Sequence, residues 1–124
     1  MRKRYKYYNH NPYDIKTKDC VCRAISTATG LCYEAVDNLL ELTAKEYVCD
    51  KLCVCCYNNL LEDILCYSRT ECDFDKTVED IASEFPRNKV IIRVQEHLTV
   101  SVYGNILDIW DCSQEPVDCF WIVS

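Results

Sequence analysis

Acyl-transfer chemistry by a thiol needs three things: a cysteine held as a thiolate, a base beside it, and a group that orients the base. The positive end of a helix lowers a thiol's pKa. Residues 20–29 (Cys-Val-Cys-Arg-Ala-Ile-Ser-Thr-Ala-Thr) read as a helix that Gly30 ends, with Asp19 placed to cap its start. Cys20 therefore stands at a helix N-terminus and is the candidate nucleophile. The chain has two histidines. His10 falls in a basic N-terminal loop, whereas His97 opens an apolar strand at the mouth of a hairpin, and His97 is the candidate base. Asp108 and Asp111 lie on the returning strand, and either can orient the imidazole. A turn centred on Gly104 sets Asp111 opposite His97 and leaves Asp108 about 10 Å further along the ladder. A two-residue turn or a bulge shifts that register by one and moves the choice toward Asp108.

These residues need a scaffold, and the pattern supplies one. Residues 4–8 are aromatic and basic and predict an edge strand, and Asn9 to Asp14 predicts a loop. A second helix is expected over 31–44, with Leu31, Ala35, Val36, Leu39, Leu40 and Leu42 near one face. A third is expected over 52–67, with Leu52, Cys56, Leu60, Ile64 and Tyr67 in register, and a short fourth over Thr77 to Glu84, closed by Pro86. The texture then turns to strand: Lys89 to Val94, a half-buried strand through Leu98, Val100 and Val102, a turn at Tyr103-Gly104-Asn105, a return over Ile106 to Trp110, and a last strand over Val117 to Val123. Helices followed by an antiparallel meander make an α+β domain spanning residues 1–124.

Charge narrows the partners. Residues 1–24 hold seven bases and two acids, net +5, and the remainder holds seven bases and eighteen acids, net −11. An acidic body opposes duplex binding, which needs a positive footprint. The aromatic, basic start (Arg2 to Tyr8) has the composition to stack single strands, but an edge strand guarded by Lys is the simpler reading. No apolar stretch follows the basic start and no run reaches a membrane span, so a cytoplasmic protein with no membrane partner is expected.

Eleven cysteines are the oddity. An odd count within apolar patterns points to reduced thiols acting as small hydrophobes, including Cys32, Cys49, Cys53, Cys56 and Cys66. Cys49, Cys53 and Cys56 fall at i, i+4, i+7 without a second matching pair, so helical packing is expected and no metal or cofactor is assigned. A Cys20–Cys22 bridge is poorly placed on a helix.

The segments Asp19-Cys20-Val21-Cys22-Arg23-Ala24-Ile25-Ser26, Thr77-Val78-Glu79-Asp80, His97-Leu98-Thr99 and Asp108-Ile109-Trp110-Asp111 together resemble a group of small phage and Firmicutes papain-like (C39-like) cysteine peptidases, over about Asn9 to Trp121. The resemblance implies a papain-like fold, a Cys–His–Asp order, and a peptide or protein substrate in a bacterial or phage-infected cytoplasm. The family's x-Trp after the third residue favours Asp108, before Ile109-Trp110. The family's upstream Gln has no counterpart in Asp14 to Asp19, which makes Asn11 the nearest amide for an oxyanion hole. A Gly usually precedes the family's histidine, and here that residue is Glu96. Two other readings stand beside the hydrolase: a catalytically weak papain-like module of phage origin that occupies a host protein, and a cysteine-rich metal- or nucleic-acid-binding protein.

Overall fold

The fold is described from a computed structural model over residues 4–11, 19–51 and 53–124. Helix α1 runs Cys20–Thr29, and Gly30 closes it at φ 79°, its N–H donating to the Ser26 carbonyl as the left-handed cap expected of glycine. The helix is buried nearly all round, with Val21, Cys22, Ala24, Ile25 and Ala28 in the core. Helix α2, Tyr33–Tyr47, starts two residues later than the pattern implies, and Val36, Leu40 and Thr43 form its buried face. Thr43 sits at the i+7 position from Val36, so Leu42 turns outward and is exposed.

Helix α3, Val54–Asn59, runs into a π-helical turn, Leu60–Ile64. The widened turn breaks the single 52–67 register: Leu60 and Leu61 are buried, while Ile64 faces solvent. Leu52 lies outside the described residues. Helix α4, Val78–Glu84, opens with a capping box: Asp80 N–H donates to Thr77 Oγ1 and Thr77 N–H donates to Asp80 Oδ2.

Six strands form one sheet: β1 Tyr5–Tyr7, β2 Arg69–Glu71, β3 Lys89–Val94, β4 His97–Val102, β5 Asn105–Asp108 and β6 Val117–Ile122, in the order β1-β5-β4-β3-β6-β2. The meander holds for β3, β4 and β5 only. β6 returns to pair antiparallel with β3, and β1 pairs in parallel with β5. β5 already has β1 on its outer side, so the outer edge of β3 is where β6 docks. β1 is an edge strand, as its composition implies.

Helices cover both faces of the sheet. Ile91, Leu98, Val100 and Trp121 pack with α1, α2 and α3, and Val90, Ile92, Ile106 and Phe120 pack with α4. Each such buried aliphatic side chain contributes about 1.5–3 kcal/mol. This double cover is why β4 is buried on both faces, with Thr99 and Ser101 as inaccessible as Leu98, and not half-exposed as its alternation implies.

Candidate active site

Cys20 is the first residue of α1 and is half-buried. Asp19, next to it, gives no side-chain cap to the helix. Its carboxylate instead takes the Arg23 guanidinium, the Asn11 side-chain amide (3.1 Å) and the Tyr33 hydroxyl (2.6 Å). First-turn N–H groups of a helix have no intrahelical acceptor, so those of α1 carry the helix's positive end without a side-chain cap from Asp19.

His97 begins β4. The hairpin from β3 closes at the pair Val94 and His97 with a two-residue turn, whose second residue, Glu96, sits at φ 58°. The next turn is also of two residues, Tyr103 (φ 51°) and Gly104 (φ 82°), since Val102 pairs with Asn105. Both central residues are left-handed, as a type I′ hairpin requires. That turn is one residue shorter than a turn centred on Gly104. The projected partner of His97 becomes Trp110, whose ring meets the imidazole edge-on at 5.0 Å.

The register change settles where the two carboxylates lie. Asp108 Oδ2 accepts from His97 Nε2 at 2.6 Å and is buried. Asp111 is exposed, and its Oδ1 accepts from the Ser113 backbone N–H and hydroxyl. The geometric expectation for Asp111 is thus corrected in favour of Asp108. Asn11 is also placed otherwise than expected. It is buried, its amide donates to Asp19, and it does not line the cleft beside Cys20. Asp14 to Lys18 lie outside the described residues.

Cys20 meets His97 because the sheet opens beside it. β4 pairs with β5 only at Ser101–Ile106 and Val102–Asn105; further along, β5 follows β1. The Leu98 N–H points to the edge that β5 has left, and both it and His97 favour the ionised Cys20 sulfur beside them. With Nε2 held by Asp108, Nδ1 is the ring nitrogen left for the thiol.

Burial opposes ionisation at each of the three groups, and specific partners reverse it. For Cys20, the His97 hydrogen bond, the Leu98 N–H and the charges of His97 and Arg23 outweigh desolvation and pull the thiol below its usual value. For His97, desolvation lowers basicity, but hydrogen bonds to Asp108, Cys112 and Cys20 win and raise it to about 11. For Asp108, desolvation is overcome by the His97 bond and charge, so its carboxyl stays below the ordinary range. Asp108 Oδ1 also accepts from Ile109 N–H (2.7 Å) and faces Arg23 Nη2 (3.7 Å), while the Cys112 thiol approaches Oδ2 (3.8 Å). The arrangement favours a thiolate–imidazolium pair backed by a carboxylate.

All eleven cysteines are free thiols. Of the cysteines expected to pack as small hydrophobes, Cys56 is buried and Cys49 and Cys53 are half-buried, but Cys32 and Cys66 are exposed; Cys22, Cys112 and Cys119 are also core residues. Burial drives Cys22, Cys49 and Cys119 up to about 12, so Cys20 stands apart in the direction of its shift. Cys49, Cys53 and Cys56 do not share a helical face, because α2 ends at Tyr47 and α3 begins at Val54; Cys53 instead caps α3, its sulfur accepting from Cys56 N–H. Among the described residues, one trio of metal-ligand type converges, His97, Asp108 and Cys112, within 4.8 Å. It coincides with the His97–Asp108 bond, whose 2.6 Å contact already joins the two groups directly. His10 lies elsewhere, against α1, hydrogen-bonded to Ser26 Oγ at 2.6 Å.

A cleft of about 390 Å³ opens at Cys20 and His97, within the size range of small-ligand sites. Tyr57, Phe74, Arg93 and Asp118 also line it. Arg93 donates to Asp118 (2.9 Å) and Asn58 (3.0 Å) and lies between the Tyr57 and Trp121 rings. No sequence pattern singles out Arg93 or Tyr57, because their meeting depends on α3 packing over β3 and β6.

The class these observations define is a mixed α+β protein with a Cys–His–Asp constellation at the open end of its sheet. No protein-family model, curated protein sequence or solved structure matches the chain.

Proposed function

We propose that this chain is a papain-like thiol hydrolase or acyl transferase acting on a peptide or isopeptide bond of a protein or peptide substrate in the cytoplasm of a bacterial or phage-infected cell. One observation carries this reading: His97 is held through Nε2 by buried Asp108 and shares one cleft with Cys20, which stands at a helix start and whose thiol His97 pulls down. Among the described residues no helix is long and apolar enough to cross a membrane.

In the proposed cycle the Cys20 thiolate attacks the carbonyl carbon. The developing oxyanion is met by backbone N–H groups at the start of α1, including that of Cys20. The C–N bond breaks as His97 gives its proton to the leaving amine, and a thioester to Cys20 remains. Neutral His97 then takes a proton from water, or from an acceptor amine, as that nucleophile attacks the thioester. Collapse expels the Cys20 thiolate and leaves His97 protonated. Asp108 holds the ring in the tautomer and orientation that both steps need. This chemistry calls for no cofactor.

The test is labelling by a peptidyl electrophile. Loss of labelling in Cys20→Ala, with retention in Cys22→Ala, supports the mechanism; equal labelling of many cysteines sinks it. The position of Asn11 favours a second reading. Its amide is engaged with Asp19 away from the cleft, so the side-chain oxyanion donor that the resemblance implies is not supplied by Asn11. A papain-like module of weak activity that occupies a host protein fits that departure. It would bind its partner stoichiometrically with Cys20→Ala as tightly as with the native chain.

A further inference from the structure

Arg23 is the charged residue of α1 that the mechanism above leaves without a task. It is buried, on a helix whose neighbouring positions are Cys22, Ala24 and Ile25, all apolar and in the core. Helix packing alone would be served by an apolar side chain here, since burying a cation is costly without paired charges. Two carboxylates partner Arg23 among the described residues. One guanidinium nitrogen, Nη1, pairs with Asp19, four residues back along the chain. The other, Nη2, faces Asp108 Oδ1 at 3.7 Å. Asp19 immediately precedes the nucleophile, and Asp108 ends β5 in the sheet. Both acids are buried.

The planar fork of an arginine can serve two carboxylates at once, which a point-charge ammonium cannot do equally well. By occupying the Oδ1 side of Asp108, Arg23 leaves Oδ2 turned to His97. Asp19 is fixed in turn by Asn11 and Tyr33. We infer that Arg23 is a positioning residue for the proposed reaction: its fork joins the start of the nucleophile's helix to the carboxylate that orients His97. The inference rests on the hydrolase reading above.

Its charge acts on the same site. Among the described residues, the titratable and charged groups around Arg23 and its two acids include Cys20 and Asp19 at the start of α1, Tyr33 from α2, Tyr5 from β1 and Tyr8 beyond it, His97 from β4, Asp108 from β5 and Cys112 beyond it. Removing the cation leaves Asp19 and Asp108 unbalanced beside Cys20, so the Cys20 thiolate becomes harder to form. The acid limb of its reactivity therefore moves to higher pH.

The experiment is iodoacetamide alkylation of the full chain from acid to mildly alkaline pH, with the rate at Cys20 resolved by peptide mass spectrometry and exposed Cys32 as the internal reference. In the native chain Cys20 reacts faster than Cys32 on the acid side, and His97→Ala removes the advantage. In Arg23→Met the acid limb rises, and the acid-side rate falls about tenfold for each unit of the rise. Arg23→Lys, which keeps the charge without the fork, falls between the two. A folded Arg23→Met with the native limb overturns the inference. Where Arg23→Met does not fold, Arg23→Lys decides: a profile superimposable on the native one overturns the role of the fork. A native Cys20 no faster than Cys32, or unaffected by His97→Ala, overturns the hydrolase reading itself, which is a separate result.

Discussion

Cys20 and Cys22 stand two residues apart on α1 and are displaced in opposite directions. Burial drives the Cys22 thiol, whose S–H donates to the Tyr33 carbonyl at 3.3 Å, up to about 12. Cys20 is half-buried and burial opposes its ionisation too, but His97, the Leu98 N–H and Arg23 pull it down. With its pKa near 12, Cys22 is ionised at neutral pH to the order of one part in 10⁵. Brief alkylation at neutral pH, read by peptide mass spectrometry, should therefore modify Cys20 and leave Cys22 intact. Comparable modification of the two would contradict the environments described.

The two candidate carboxylates should separate cleanly in kinetics. Asp108→Asn removes the charge that supports the His97 imidazolium and should lower the acylation rate by at least about tenfold. Asp111→Asn changes an exposed side chain that bonds the Ser113 turn, and it should leave that rate unchanged within assay error. The measurement is the pseudo-first-order rate of Cys20 labelling by a peptidyl electrophile in each variant.

The ionic pair fixes the shape of the pH profile. The proposed cycle needs a Cys20 thiolate and a protonated His97. The acid limb follows Cys20, whose folded pKa lies below the usual thiol value, and the alkaline limb follows His97, raised to about 11. The labelling rate should form a broad plateau through neutral pH. Stability follows the same signs. The contribution of His97 is full below the ordinary imidazole value of 6.5 and is lost as pH climbs toward the folded value. The contributions of Cys20 and Asp108 are lost as pH falls through their lowered folded values. Thermal denaturation across pH should show the native chain losing stability at both ends, and His97→Ala should lack the alkaline loss that belongs to the imidazolium.

The turn before His97 carries a removable cost. Glu96 holds φ 58°, where a residue with a Cβ is disfavoured by about 1–2 kcal/mol and glycine is not. Glu96→Gly should raise the unfolding free energy by about 1 kcal/mol in urea titration. Because exposed Glu96 also lines the cleft at Cys20, unfolding and not labelling is the readout that tests this cost. A fall in stability would mean that the Glu96 side chain supports the turn.

Much of the site was legible in the chain because its signals are local. Cys20 precedes a helical run that ends in Gly30, and His97 opens an apolar strand; both are visible over a few residues. The choice between Asp108 and Asp111 was not, because it depends on whether the Tyr103–Gly104 turn holds two residues or three, and that difference moves every later side chain by one step. The family pattern pointed to Asp108 and the projected register did not. β2 escaped notice because Arg69-Thr70-Glu71 is short, exposed and without apolar alternation, as edge strands often are. The docking of β6 on β3 is a long-range choice that no local pattern encodes. Arg23 reads like any helix surface residue until Asp108 arrives from the sheet to meet it.

The parallel pairing of β1 with the far end of β5 has a practical meaning for handling this protein. The Tyr8 N–H and the Tyr5 hydroxyl both donate to the main-chain oxygen of Asp108, at 3.0 and 3.2 Å. Residues 5–8 thus act as a splint on the third member of the site, a hundred or more positions along the chain. A proteolytic cut that frees Tyr5–Tyr8 from β5 would loosen that carboxylate without touching Cys20 or the His97 ring.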